Sequence, residues 1–166
     1  IWGPRDSHFL PVFYAKQRAG RLFKIGKGPY LVDTIFVENA ARAHLRAFMA
    51  MRQNPEIVGG KAYFLSQDDP INLHEFIDRM LDTGGLPPVE KVLNPKMVKS
   101  TVWLIEQVYK LLNLKSAAPI SLFVVKHLSS HHWYDISAAK NDFGYQPTIS
   151  IDEGMTILKK WVKENP

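Results

Sequence analysis

The chain contains no cysteine. That excludes a disulfide framework, a thiolate metal site and a cysteine nucleophile, and it fits a reducing, cytoplasmic setting. A long hydrophobic run is also missing. The most apolar stretch, residues 117–128, is broken by Lys126 and falls well short of the ~20 residues a spanning helix needs. It reads either as a core helix or as a surface helix that dips into a membrane or covers a lipid-like ligand. Charge is not concentrated: 21 Lys+Arg against 16 Asp+Glu give +5, but the densest group is only Arg18, Arg21, Lys24 and Lys27. Lys159, Lys160 and Lys163 belong to a closing helix, whose C-terminus attracts cations anyway. With no stacking motif or finger spacing beside these charges, nucleic-acid binding is set aside. No basic, apolar, small-residue leader opens the chain.

What is present suits a single domain: 166 residues, 46% of them hydrophobic, with no repeat and no linker long enough to divide them. The opening Ile1-Trp2-Gly3-Pro4 reads as a strand end running into a turn. The chain is therefore expected to be the C-terminal part of a longer protein.

Residues 7–18 pattern as a helix capped by Asp6 or Ser7 and stopped at Gly20. Residues 22–25 and 31–37 read as strands around a Gly26-Lys27-Gly28-Pro29 turn. Helix is expected over residues 38–52, where Ala40, Ala43, Ala47, Phe48 and Met51 form a stripe, and a strand over 61–66. A helix capped by Asn72 with Glu75 as its box partner runs to Gly84-Gly85. The longest helix starts at Pro95 and runs to Leu112, and another spans residues 119–128. Ser137 caps a single turn, and Ser150 with Glu153 forms a second capping box for the last helix.

Three constellations contain residue types that carry chemistry. His127 and His131 have the spacing of a zinc helix, followed by His132, but Leu128 stands where a general base would be needed and the nearest acid is Asp135. Ser7-His8 beside Asp6 cannot form a hydrolytic triad from sequence neighbours. The aromatics Trp103, Tyr109, Phe123 and Trp133 either pack in the core or line an apolar pocket.

Four stretches, in order, resemble the extended short-chain dehydrogenases/reductases, and within them the 3β-hydroxysteroid dehydrogenase/isomerase group with its sterol-4α-carboxylate 3-dehydrogenases. Trp2-Gly3-Pro4 resembles that group's strand-end turn. Asp33-Thr34-Ile35-Phe36-Val37-Glu38-Asn39 resembles its D-x-V-x-V-x-N strand leading into an Ala-rich helix. Gly60 to Leu65 with Pro70 and Glu75-Phe76 resembles a third stretch. Trp133-Tyr134-Asp135-Ile136, Gly144-Tyr145-Gln146-Pro147 and Glu153-Gly154-Met155 resemble the tail.

The resemblance implies an α/β fold, with residues 1–166 as the helix-rich, substrate-binding C-terminal part of an extended Rossmann-type protein. Residues 1–4 and 31–37 would join a sheet whose N-terminal, dinucleotide-binding half lies elsewhere. It implies a parent that oxidises a secondary alcohol on a steroid- or terpenoid-like substrate with NAD or NADP. The catalytic pair of such enzymes is a Tyr with a Lys four residues on, which lowers the phenol's pKa. The six tyrosines here are followed at that spacing by Arg18, Thr34, Gln67, Asn113, Ala138 and Ile149, so no catalytic residue is assigned. Nor do the ten glycines form a G-x-G-x-x-G loop, so no cofactor-binding residue is assigned, and no metal ligand.

By the same resemblance, Arg5, His8 and Phe9 border the substrate pocket, although Arg5 and Asp6 could equally serve only as helix caps. Val32 stands where nucleotide-sugar enzymes place an Arg, which points to an apolar substrate, and Asp33 is either structural or a pocket group. The expected partners are a small apolar substrate, a membrane surface and a second copy, because unpaired strand edges favour self-association into a homodimer. The alternatives are a non-catalytic lipid- or protein-binding module and an epimerase or reductase of a sugar or small carbonyl compound.

Overall fold

Short polar caps start most of the helices. The carboxylate of Asp6 accepts from the backbone N–H groups of His8 and Phe9 at 2.8 and 2.9 Å, which turns the chain into α1 (Phe9–Arg18). Asn72 caps α4 (Leu73–Thr83), Asn94 caps α5 (Pro95–Leu111) and Ser121 caps α6 (Leu122–His127). Ser150 and Glu153 form the expected reciprocal box at α8 (Ile151–Glu164). The computed structural model describes residues 1–113 and 121–165, so the start of the helix expected over 119–128 lies outside the described residues.

The remaining helices are α2 (Val37–Gln53), the single turn α3 (Pro55–Val58) and α7 (Ser137–Phe143). Among the described residues, four two-residue strands form two ladders. β1 (Lys24–Ile25) runs parallel to β4 (Val92–Leu93), and β2 (Leu31–Val32) runs antiparallel to β3 (Ile71–Asn72). α4 packs on α8, α2 on α3 and α5 on α6. One core gathers Trp2, Phe36, Met80 and Leu158, a second gathers Ala43, Ala139, Phe143 and Tyr145, and a third joins Ile25 to Val98, Val102 and Val125.

Several expectations are corrected here. The strand over residues 31–37 ends at Val32, because its backbone partners change along its length. Leu31 and Val32 pair with β3. The Asp33 N–H then donates to His132 O, Thr34 O accepts from Gln67 N, and Trp2 brackets residues 35–37 with two bonds. Hydrogen bonds spread over several segments satisfy the backbone without making one ladder. The strand over 1–4 reduces to an isolated parallel bridge between Trp2 and Phe36, and residues 61–66 are extended but unladdered. Glu75 does not complete a box; its carboxylate lies 3.7 Å from Arg79. Asp135, not Ser137, caps α7, accepting the Ser137 N–H at 2.8 Å. The strands β3 and β4 and the turn α3 were not anticipated.

Candidate functional site

The sequence around residue 33 ends a strand with polar side chains directly after an apolar one, and the fold places these residues at the edge of a cavity. Val32, Asp33 and Thr34 meet Trp2 there. α1 contributes Phe9 and Phe13, α4 contributes Phe76, Ile77 and Met80, and α6 contributes Val124, with Leu128 just past its end. Together they surround about 430 Å³, a volume in the range of small-molecule sites. α4 supplies one wall because its apolar residues recur at helical spacing while its other side carries Glu75, Asp78, Arg79 and Asp82.

The polar atoms of this wall are incompletely bonded. Among the described residues, Trp2 Nε1, Asp33 Oδ1 and Thr34 Oγ1 are buried and have no hydrogen-bond partner. Asp33 spends its other oxygen on structure, since Oδ2 accepts from the Tyr134 N–H at 2.7 Å. A donor, a carboxylate oxygen and a hydroxyl of cavity-lining residues are thus unpaired among the described residues, in a lining that is mostly apolar but also includes Lys16, Arg21, His127 and His132. Leaving such groups unbonded is costly, and a ligand with one polar end would satisfy them. At the rim, His127 and His132 bring their rings within 3.7 Å. Burial, and then the neighbouring His132, hold His127 below the usual histidine pKa, so it favours the neutral ring.

Of the residues singled out in the sequence, Phe9, Val32 and Asp33 line the cavity. Arg5 and His8 do not: both are exposed, because the Asp6 cap holds the turn with Arg5 at φ +67° and starts α1 beyond His8. Trp103, Phe123 and Trp133 are also exposed and take no part in this site. The sequence motifs mark only Glu75-Phe76 of the α4 wall; the signal for the rest is the amphipathic period of that helix.

A larger groove of about 1110 Å³ runs along the polar side of α4. Its charges neutralise one another: Lys24 meets Asp78 at 2.6 Å, Lys159 meets Asp82 at 2.8 Å, and Arg79 pairs with Asp152. The apolar cavity is therefore the better candidate, although it is the smaller of the two. Neither offers a dinucleotide cradle among the described residues. Gly26 and Gly28 lie in the turn between β1 and β2, not at a helix N-terminus where amides could hold a pyrophosphate.

Short strands, flanking helices and a cavity at the strand ends place the chain among Rossmann-type α/β proteins. Of solved structures, it matches gox2253 with a TM-score of 0.66 at 17% identity, over 98% of this chain and 46% of that one. It matches a Bacillus cereus UDP-glucuronic acid 4-epimerase, solved with a fluorinated UDP-sugar and NAD, with a TM-score of 0.56 at 15% identity, over 98% and 42%.

The chain belongs to the 3-beta hydroxysteroid dehydrogenase/isomerase family, whose model matches residues 1–94. A 2-alkyl-3-oxoalkanoate reductase of Shewanella oneidensis is 42% identical over 96% of this chain and 41% of its own length. A second, from Stenotrophomonas maltophilia, is 37% identical over 96% and 48%. The mouse sterol-4-alpha-carboxylate 3-dehydrogenase is 31% identical over 93% and 43%. The chain thus spans less than half the length of these curated relatives.

Proposed function

We propose that residues 1–166 form the substrate-binding side of an NAD(P)-dependent oxidoreductase that interconverts a secondary alcohol and a ketone on an apolar, lipid-like molecule. The carrying observation is the 430 Å³ cavity, whose lining is mostly apolar and includes Trp2, Asp33 and Thr34, the residues whose Nε1, Oδ1 and Oγ1 lack partners among the described residues. A substrate with a hydrocarbon body and one oxygenated end suits that division. Both substrate classes named for the relatives, 2-alkyl-3-oxoalkanoates and sterol carboxylates, have this form.

In this reading the chain's own residues bind and orient. Phe9, Phe76 and Ile77 exclude water from the hydrocarbon, while Trp2 donates to a ligand oxygen and the Thr34 hydroxyl donates or accepts. A bound dinucleotide would supply the hydride. Val32, in the position that carries an Arg in nucleotide-sugar enzymes, supports the apolar reading over a sugar substrate. The second reading, a lipid-binding module without catalysis, is favoured by one observation: no Tyr is followed by Lys at the catalytic spacing.

Equilibrium binding tests the proposal. A long-chain 2-alkyl-3-oxoalkanoate and a 3-hydroxysteroid carboxylate are titrated against this chain, with a UDP-sugar as control. Binding of either apolar ligand, reduced at least tenfold by Ile77→Trp, is the expected result. Preference for the UDP-sugar, or no effect of filling the cavity, would overturn it. Ketone-dependent NAD(P)H oxidation by the longer protein that contains this segment then separates the enzyme from the module.

A further inference from the structure

The apolar cavity is polar at two ends, not one. On α1 the residues that face it recur at i, i+4 and i+7, as Phe9, Phe13 and Lys16. A cation thus stands where the helical period calls for a third apolar side chain. Arg21 joins it. The turn at Gly20, with φ +63°, folds the chain back until the Arg21 N–H donates to Lys16 O at 2.8 Å, and Arg21 also lines the cavity.

These two cations lie away from the unpaired atoms of Trp2, Asp33 and Thr34. Trp2 meets α4 near its start, with its ring centroid 5.5 Å from that of Phe76. The later part of α1 meets α4 at its close: the hydroxyls of Tyr14 and Thr83 hydrogen-bond at 2.7 Å, and Gln17 donates to Pro87 O at 2.9 Å just beyond. Lys16, between Tyr14 and Gln17 in the chain, belongs to that far end. Phe76 and Thr83 are separated by about 10 Å of helix, with Ile77 and Met80 of the cavity wall between them.

Charge sets what the far end takes. Among the described residues neither Lys16 nor Arg21 pairs with a carboxylate, whereas Lys24 is held by Asp78 and Arg18 lies over the Tyr14 ring. Asp33 is the one acidic residue in the described lining. It stands at the other end with His132, whose carbonyl accepts the Asp33 N–H at 3.2 Å, and with His127 beside that ring. An anion is repelled by the unpaired Asp33 Oδ1 and drawn to Lys16 and Arg21. We propose that the cavity takes an amphiphile with an oxygen function at Trp2 and Thr34 and a carboxylate at the opposite end of its hydrocarbon, about 10 Å away, where Lys16 and Arg21 select it. This rests on the reading of the cavity as the substrate site and adds a second, anionic end to the ligand.

Equilibrium titration of the protein with 9-oxodecanoate, its methyl ester and 2-decanone tests it. The first carries a ketone and a carboxylate at opposite ends of a saturated chain; the other two keep the ketone and lose the charge. Expected is a preference of roughly fivefold or more for the acid over both neutral ketones, shrinking in high salt. Lys16→Gln with Arg21→Gln should remove that preference. Both residues are exposed, so folding does not rest on them. Arg18→Gln, which removes the same charge from a neighbouring residue outside the cavity lining, should leave the preference in place. Equal affinity for the acid and its ester, a preference that survives the double variant, or one lost equally in Arg18→Gln would each overturn the proposal. Equal binding of all three ketones, weakened by Ile77→Trp, would overturn this proposal and leave the cavity reading standing; binding of none of them would overturn both.

Discussion

The side-chain amides of Asn39 and Gln67 meet in the interior, Asn39 Nδ2 donating to Gln67 Oε1 at 3.2 Å. Both residues are buried, and between them they join three segments. Asn39 Nδ2 also donates to Ile149 O at 2.7 Å, and Asn39 Oδ1 accepts from the N–H groups of Thr148 and Ile149 at 3.0 and 3.1 Å. Gln67 Oε1 accepts from Phe36 N at 3.1 Å. The start of α2, the bend at residue 67 and the approach to α8 are thus held by two uncharged side chains. Asn39→Leu strands several buried groups at once and should cost about 2–4 kcal/mol. Chemical denaturation measures it, and a loss below about 0.5 kcal/mol would contradict the bonding described.

Gly154 allows α8 to touch the floor of the cavity. A Cβ there would come within 2.7 Å of Trp2 Cη2 and 2.9 Å of Phe36 Cδ2. Gly154→Ala should destabilise by about 1–3 kcal/mol. Because the displaced Trp2 also lines the cavity, ligand affinity should fall with it. Thermal melting and titration on the same sample check both.

Thr34→Val separates binding from stability. The Thr34 hydroxyl has no partner among the described residues, so its isosteric removal should leave the free protein no less stable and raise its stability by about 1 kcal/mol. Affinity for an oxygenated apolar ligand should fall about fivefold, the net worth of one hydrogen bond. A large loss of stability with unchanged affinity would show that Thr34 serves only the fold.

The alkaline side of the stability curve should carry the mark of Tyr145. Burial, and then the charge of Asp68, push its phenol up to about 12, while its hydroxyl donates to Ser66 O at 2.8 Å. The unfolded chain releases this proton near pH 10. The contribution is therefore complete below pH 10 and is lost as pH rises from there through 12. Tyr145→Phe should cost about 1 kcal/mol at neutral pH and flatten the decline between pH 10 and 12. Denaturant midpoints measured across that interval check the sign.

On the acid side the box at α8 acts in the opposite sense. Hydrogen bonds from the backbone and then the side chain of Ser150 hold Glu153 below the usual carboxylate range. That stability is present above the unfolded glutamate's pKa and is lost as pH falls through the lower folded value. Ser150→Ala should remove about 1 kcal/mol at pH 7 and reduce the acid sensitivity of α8, read by helical dichroism at falling pH.

The helices were legible in the sequence to within a residue or two where a local signal marked them. Asn72, Ser150 with Glu153, and Gly20, Gly84 and Gly144 act within a few positions of themselves, so the chain near each cap carries the whole instruction. The strands were less so. Residues 22–25 contained β1, but β4 at Val92–Leu93 carries no alternating pattern and exists because β1 lies beside it. Residues 31–37 carry a strong strand signal, yet the fold splits their hydrogen bonds among several partners distant in sequence.

The site divides in the same way. Phe9, Val32 and Asp33 could be named from motif positions, and so could the family. That the Asp6 cap would hold Arg5 and His8 outside the cavity, that α4 would supply a wall, and that Trp2, Asp33 and Thr34 would be left with unpaired atoms were all decided by tertiary packing. By itself the sequence determined the longer helical segments, most of their caps and the apolar balance of the chain, because those depend on interactions spanning a few residues. Which apolar faces were covered, and which polar atoms lost their partners, depended on segments up to about a hundred positions apart closing on one another, as when the Asp33 carboxylate meets the Tyr134 N–H.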